Sequence, residues 1–266
     1  MTGIIKTDQI QGAQGSSVTV PTGHTFAVTS NASVGGTLSV TGDVTATNTS
    51  GNRTLGIITG TSNSSILNMG DTDAANVGQV KYHHGVNSMV LRTNGSDKVT
   101  LDSTGNLLFN AASTGVYLGV TSATASNLLD DYEEGTWTPA FQSTNASFSY
   151  GTQQGEYIKV GRIVYVSFRI QIGSGAPSGT TSNTTFLTGL PFTIDTTNHY
   201  AGSHVGHYFN LNKTDTDEEP VYQQAPGDTK MEIKMCGDLQ GESNLTPAQM
   251  QAYFELRSAV TYLAAS

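Results

Sequence analysis

Three histidines, His199, His204 and His207, lie close in sequence and raise metal binding first, because imidazole is a common zinc ligand. On a strand His204 and His207 would face opposite sides, although a symmetry axis could gather one of them from each chain. Ordinary surface or hydrogen-bonded histidines are the preferred reading, and no metal or other cofactor is expected. Asp130, Asp131, Glu133 and Glu134 offer the oxygen ligands that calcium prefers, but their spacing matches no calcium-binding loop. A solvated collar, with Lys or Arg partners on a neighbouring chain, fits them better, and Asp215–Glu219 reads as a solvated loop. The Gly173–Gly179 run superficially resembles a phosphate-binding loop. Such a loop must open a helix, whereas polar Thr180–Thr185 follows here, so a strand connection is expected. The sequence has no Gly-x-Ser-x-Gly nucleophile elbow, and the two spaced carboxylates of a glycosidase cannot be read from a linear chain. No catalytic residue is assigned, and the chain is expected not to be an enzyme. Its single cysteine, Cys236, forbids an intrachain disulfide, and in Met231–Cys236 it reads as an inward position of a strand.

The surroundings of these residues are unusual in charge. Of the 266 residues, 12% are charged and 36% hydrophobic, against about 25% charged in an ordinary soluble domain. Ser, Thr, Asn, Gln and Gly must supply the polar surface, a composition that suits strands and turns. The net charge is −9, with twelve Lys and Arg. Phosphate neutralisation needs a basic surface, so nucleic-acid binding is excluded, and a polybasic membrane anchor with it. No run approaches the ~18 apolar residues of a membrane helix, and Met1–Lys6 lacks the pattern of a secretory signal. A chain made in a cytoplasm and staying soluble is expected.

Aromatic residues divide the sequence. Residues 1–125 hold four, Phe26, Tyr82, Phe109 and Tyr117, and residues 126–266 hold the other seventeen of twenty-one. Aromatics bring large buried areas, so the second half can build a core of its own. It also carries −8 of the net charge of −9. The boundary is placed near Ser126.

The first half reads as short alternating strands: Val18–Val20, Phe26–Val28, Thr37–Val40 and Val44–Ala46, with Pro21–Gly23, Gly35–Gly36 and Thr41–Asp43 between them. Farther on, Asn94-Gly95 is a strong hairpin signal, and Val99–Leu101 and Leu107–Phe109 flank a second turn at Thr104-Gly105. Such strands are too short and too poor in large side chains to close a core in one chain. Copies arranged about an axis would bury them, and an elongated homotrimeric shaft is the expectation for residues 21–125.

The segment Gly78–Met89, continuing through Thr93–Lys98 to Asp102–Asn106, resembles a module of tail-fibre and other fibrous virion proteins of tailed bacteriophages. It lies within a small hairpin module at about 76–120. Where that pattern has an Asp or a similar polar residue before His84, this chain has His83. A second segment, Leu128–Pro139, is similar to those that introduce the C-terminal domains of phage fibres, marine phages among them. Gly155–Gly161, Ile163–Ile172 and Gly189–Phe192 continue the likeness. The resemblance implies a homotrimer, a jelly-roll-like β-sandwich head at 126–266, a location on the virion, and attachment to other virion proteins through residues 1–20.

The fold class expected is therefore all-β, an elongated trimeric shaft followed by a sandwich head. Ile163–Ile172 has strong β-formers on both faces, suiting a sheet covered on both sides. Phe186-Leu187, Pro191–Ile194, Val205–Leu211 and Met231–Met235 read as further strands. A single helical turn at 247–250 and a closing strand complete the head. Host recognition is the expected function, through loops 173–185 and 213–229. Tyr200, Tyr208 and Tyr222 are its candidate contacts to a host surface glycan or protein. A capsid-decorating knob or an adaptor between another fibre and the tail is the alternative.

Overall fold

The computed structural model describes residues 20, 22–23, 25–28, 31–45, 50–52, 54–197, 202–237 and 241–265. Contacts divide the chain into two units, Met1–Gly56 and Ile57–Ser266. The described residues of the first unit form no strand, which corrects the expectation for Phe26–Val28, Thr37–Val40 and Val44-Thr45. A run of three or four alternating residues becomes a strand only beside a partner that accepts its backbone hydrogen bonds. Among the described residues these runs have none, and Phe26, Leu38 and Val44 stand 71%, 69% and 79% exposed. Of the segment 1–20, all but Val20 lies outside the described residues, Val18 included.

The second unit is all-β, with two single 3-10 turns as its only described helical structure. Strands β1 (Ser64–Met69), β2 (Gly78–His83), β3 (Ser88–Thr93), β4 (Ser96–Leu101) and β5 (Leu107–Phe109) pair in chain order as an antiparallel meander. The β3–β4 turn falls on Asn94-Gly95, whose φ values of 51° and 69° match the positive pair that a two-residue hairpin needs. After β4, Asp102 accepts hydrogen bonds from the backbone N–H of Thr104 at 2.9 Å and of Asn106 at 2.8 Å. The Asn106 backbone bond foremost, then the Thr104 hydroxyl and the Asn106 side-chain amide, which also donate to Asp102, hold its carboxyl down to about 2. A small ladder of β6 (Val116–Tyr117) and β7 (Leu128–Leu129) follows. It encloses a 3-10 turn at Ala125–Asn127, where the change of composition falls.

Beyond it come β8 (Tyr132–Trp137), β9 (Ala140–Gln142), β10 (Ala146–Ser147), β11 (Tyr150–Val160), β12 (Ile163–Ile172), β13 (Ser178–Gly179) and β14 (Phe186–Thr188). The chain then forms β15 (Gly202–His204), β16 (His207–Leu211), β17 (Glu219–Gln224), β18 (Lys230–Cys236), β19 (Glu242–Asn244) and β20 (Met250–Leu263). One sheet has the order β16-β20-β12-β11-β8, the other β15-β17-β18-β14-β9 with β19 on β18. They share one core. Val164, Val166, Phe168, Ile170, Phe254 and Leu256 from the first meet Leu187, Tyr222, Met231, Ile233 and Met235 from the second. Phe168 joins the two sheets edge-to-face, its ring 5.5 Å from Trp137 and 5.8 Å from Tyr222.

Several strands differ from expectation. The face of β12 opposite the core is open, with Ile163 and Tyr165 exposed, so this sheet is covered on one side within the chain. Pro191–Ile194 makes only one bridge, Ile194 to Ala264. Pro191 has no N–H for a ladder, and the Tyr262 hydroxyl serves both the N–H and the carbonyl of Phe192 instead. Val205–Leu211 is broken at Val205-Gly206, where the chain passes from one sheet to the other. Cys236 stands on the outer face of β18, half-buried, because the inward positions are Met231, Ile233 and Met235. The expected turn at 247–250 is present as Pro247–Gln249, with Gln249 accepting the Thr246 N–H at 2.9 Å, and β20 closes the head.

Candidate functional site

The residues singled out for chemistry do not converge. His199 and Tyr200 lie outside the described residues. His204 ends β15 in one sheet and His207 starts β16 in the other, both exposed. Among the described residues no three His, Cys, Asp or Glu side chains are grouped to hold a metal. The acidic collar is tied up locally: Asp131 pairs with Lys159 of the same chain, Tyr157 donates to Glu133, and Tyr132 donates to Glu134 at 2.9 Å. Asp215–Glu219 is not wholly solvated, because Glu218 is buried and accepts the backbone N–H of Asp215 at 3.3 Å.

The tyrosines need a correction too. Tyr222 is fully buried, its ring against Phe168, and cannot reach a receptor without unfolding the sandwich. Burial pushes its hydroxyl far above the ordinary tyrosine range. Tyr208 is half-buried, with the Lys213 ammonium 5.4 Å from its ring centre. Glu219 holds that ammonium at 2.9 Å, and the pairing lowers the Glu219 pKa. The Gly173–Thr185 segment is a strand connection, pinned where β13 pairs with β10.

Register assembles a different set. On the outer face of the first head sheet, Gln154 lies opposite Arg169, Arg169 opposite Arg257, and Arg257 opposite His207. These four side chains come from four strands. With Glu156 and Ser167 they line an open groove of about 860 Å³. Two guanidiniums placed directly opposite would repel. Glu255 stands between them, almost wholly buried, accepting from Arg169 Nη2 at 2.9 Å, from Gln171 Nε2 at 2.7 Å and from Arg257 Nε. Burial by itself would raise the Glu255 pKa, but the two arginines outweigh it and the carboxyl is held below its usual value. The sheet is thin beneath the groove because Gly155 lies over the Trp137 indole, where a Cβ would fall 2.4 Å from Nε1.

No family model and no curated protein matches this sequence. The chemistry of the groove stands on its residues alone. Guanidinium edges favour planar anions such as carboxylates, while Gln154, Ser167 and His207 can exchange hydrogen bonds with hydroxyl groups. Together they suit an oxygen-rich ligand bound on an open surface. Sequence reasoning missed Arg169 and Arg257 because they are 88 positions apart, and only the β12–β20 pairing makes them neighbours.

Proposed function

We propose that this chain is a structural fibre protein of a bacteriophage virion, a homotrimer whose C-terminal head binds the host cell surface as part of a tail fibre. The observation that carries the reading is the division between a head that closes its own core and a preceding meander whose apolar face stays open. That is the plan of a self-sufficient knob on a stalk needing copies of itself. The segments that carry the phage resemblance coincide with this plan. Gly78–Asn106 builds the heart of the meander, and Leu128–Pro139 leads through β7 and β8 into the head. The head is jelly-roll-like in that the chain crosses repeatedly between two facing sheets. Made in the host cytoplasm, the protein takes its place on the virion through residues 1–20, and a truncation lacking them forms trimers but fails to join particles.

The groove at Arg169 and Arg257 replaces Tyr222 as the host contact, with a bacterial surface glycan or protein as its ligand. Three copies per head turn weak single contacts into useful avidity. Full-length protein is expected to bind host cells and compete with infection, and the Arg257→Ala variant to do so at least tenfold less well. Absence of binding by the intact protein would reject host recognition. The short span of the meander, Ser64–Phe109, favours a second reading, a capsid-decorating knob or an adaptor to another fibre. Imaging of particles separates the two, since density on capsid faces or vertices excludes the tail-fibre assignment.

A further inference from the structure

The meander turns its two faces inside out. Register places Tyr82, Met89, Leu101 and Leu107 in one cross-strand row, and Leu67, Val80, Leu91, Val99 and Phe109 in the next, on the same face. Seven of these side chains are exposed, from 36% at Val80 to 61% at Leu107. None is charged. The opposite face is mixed: Gln79, Lys81, Ser88 and Val90 are buried at its centre, and Ile66 and Leu108 are exposed on its edge strands. There Asp97 receives Arg92 at 2.7 Å and Lys81 at 3.2 Å, and Gln79 reaches Asn68 at 2.7 Å. The polar groups of that face are thus satisfied within the chain, whereas the face of Leu67 to Phe109 is uncharged and mostly exposed.

At roughly 150–200 Å² for a fully exposed side chain of this size, the seven leave on the order of 500 Å² of contiguous apolar surface. That is in the upper part of the ~300–600 Å² range of a monomer's largest apolar patch, which is often functional, and a substantial part of the ~800 Å² that each partner of a stable complex contributes. The occupant is identified by where else the chain is open. In the head, Tyr132, Val160, Ile163 and Leu263 form a second exposed apolar row across β8, β11, β12 and β20. A foreign partner would have to match both rows, whereas a copy of this chain in parallel register matches each with its like. Charge points the same way. Copies of a chain with net charge −9 repel, and an uncharged face is where self-association costs least.

We infer that the apolar face of β1–β5 is the surface on which copies of this chain pack against one another, with β3 at its centre. The number of copies rests on the trimeric reading above, and the face itself does not. The test is the solution mass of the full chain by light scattering, beside that of Leu91→Glu, with Trp137 fluorescence to report an intact head. The expected result is three times the single-chain 27.9 kDa, falling to the single-chain mass in the variant with the Trp137 signal kept. A mass of two chains, lost in the variant, would uphold the face and overturn the trimer. A trimer that survives Leu91→Glu would overturn the face and leave the trimer standing, and a monomeric native chain would overturn both. If Leu91→Glu loses its head signal as well, Leu91→Cys in a Cys236→Ser background decides. Mild oxidation then yields disulfide-linked chains if the faces meet, and their absence overturns the inference.

Discussion

The head and the meander are both antiparallel β-structure in one unit of the same chain, yet they handle apolar surface in opposite ways. In the head two sheets face each other, and the inward positions of β12, Val164 to Ile172, are at most 7% exposed. In the meander a single sheet faces no second sheet among the described residues, and its row from Leu67 to Phe109 stays open. The difference lies in side-chain supply. The head has enough large residues to fill the space between two sheets, whereas the meander has them on a single sheet, most densely on the face of Leu67 to Phe109. A sheet of that kind is a fraction of a core.

That contrast can be broken from either side. The largest expected effect is in the head: Phe254→Ala empties a fully buried site and should cost about 3–5 kcal/mol in urea unfolding. Leu91→Ala, on the exposed face, should barely move the unfolding of dissociated chains while weakening their assembly. Equal effects on dissociated chains would erase the distinction. Gly155→Ala comes next, since its Cβ would collide with the Trp137 ring, and a loss of about 1–3 kcal/mol is expected from overpacking. The smallest substitution effect belongs to the turn. Gly95→Ala at φ 69° should cost about 1 kcal/mol and leave the head unchanged.

Acid probes both regions at once. The Asp97 pKa is lowered, by the Arg92 hydrogen bond above all, and that of Glu255 is lowered despite burial. A carboxyl whose folded pKa lies below its unfolded value stabilises the fold above the unfolded value. Both contributions should therefore be present above pH 4.5 and lost as the pH falls through the folded values. In acid titrations, Asp97→Asn should flatten the loss in the meander and Glu255→Gln the loss in the head. Unchanged titration curves would contradict both assignments.

Local features were legible in the sequence because they depend on neighbours along the chain. Asn94-Gly95 makes its hairpin, the Ile163–Ile172 strand is where it was expected, and Thr246 to Gln249 makes one turn before the closing strand. Residues 213–229 read as a loop but contain β17, whose inward set is Pro220, Tyr222 and Gln224; that set shows no apolar alternation, so Tyr222 reads as a surface contact. Cys236 lies one position out of phase with Met231, Ile233 and Met235, and strict alternation places it on the face of Glu232 and Lys234. The groove was invisible for a third reason, since it is made by the pairing of β11, β12, β20 and β16, and long-range register leaves no mark in any one segment.

The central claim, that the meander face is open in one chain and covered in the working protein, is tested most directly by oxidative footprinting of the full chain at assembly concentration, read by mass spectrometry. Met89, 42% exposed in the single chain, should be protected to the level of the buried core residues Met231 and Met235, and should become reactive when the protein is diluted to single chains. Met89 reacting at assembly concentration as fast as it does in dissociated chains would contradict it.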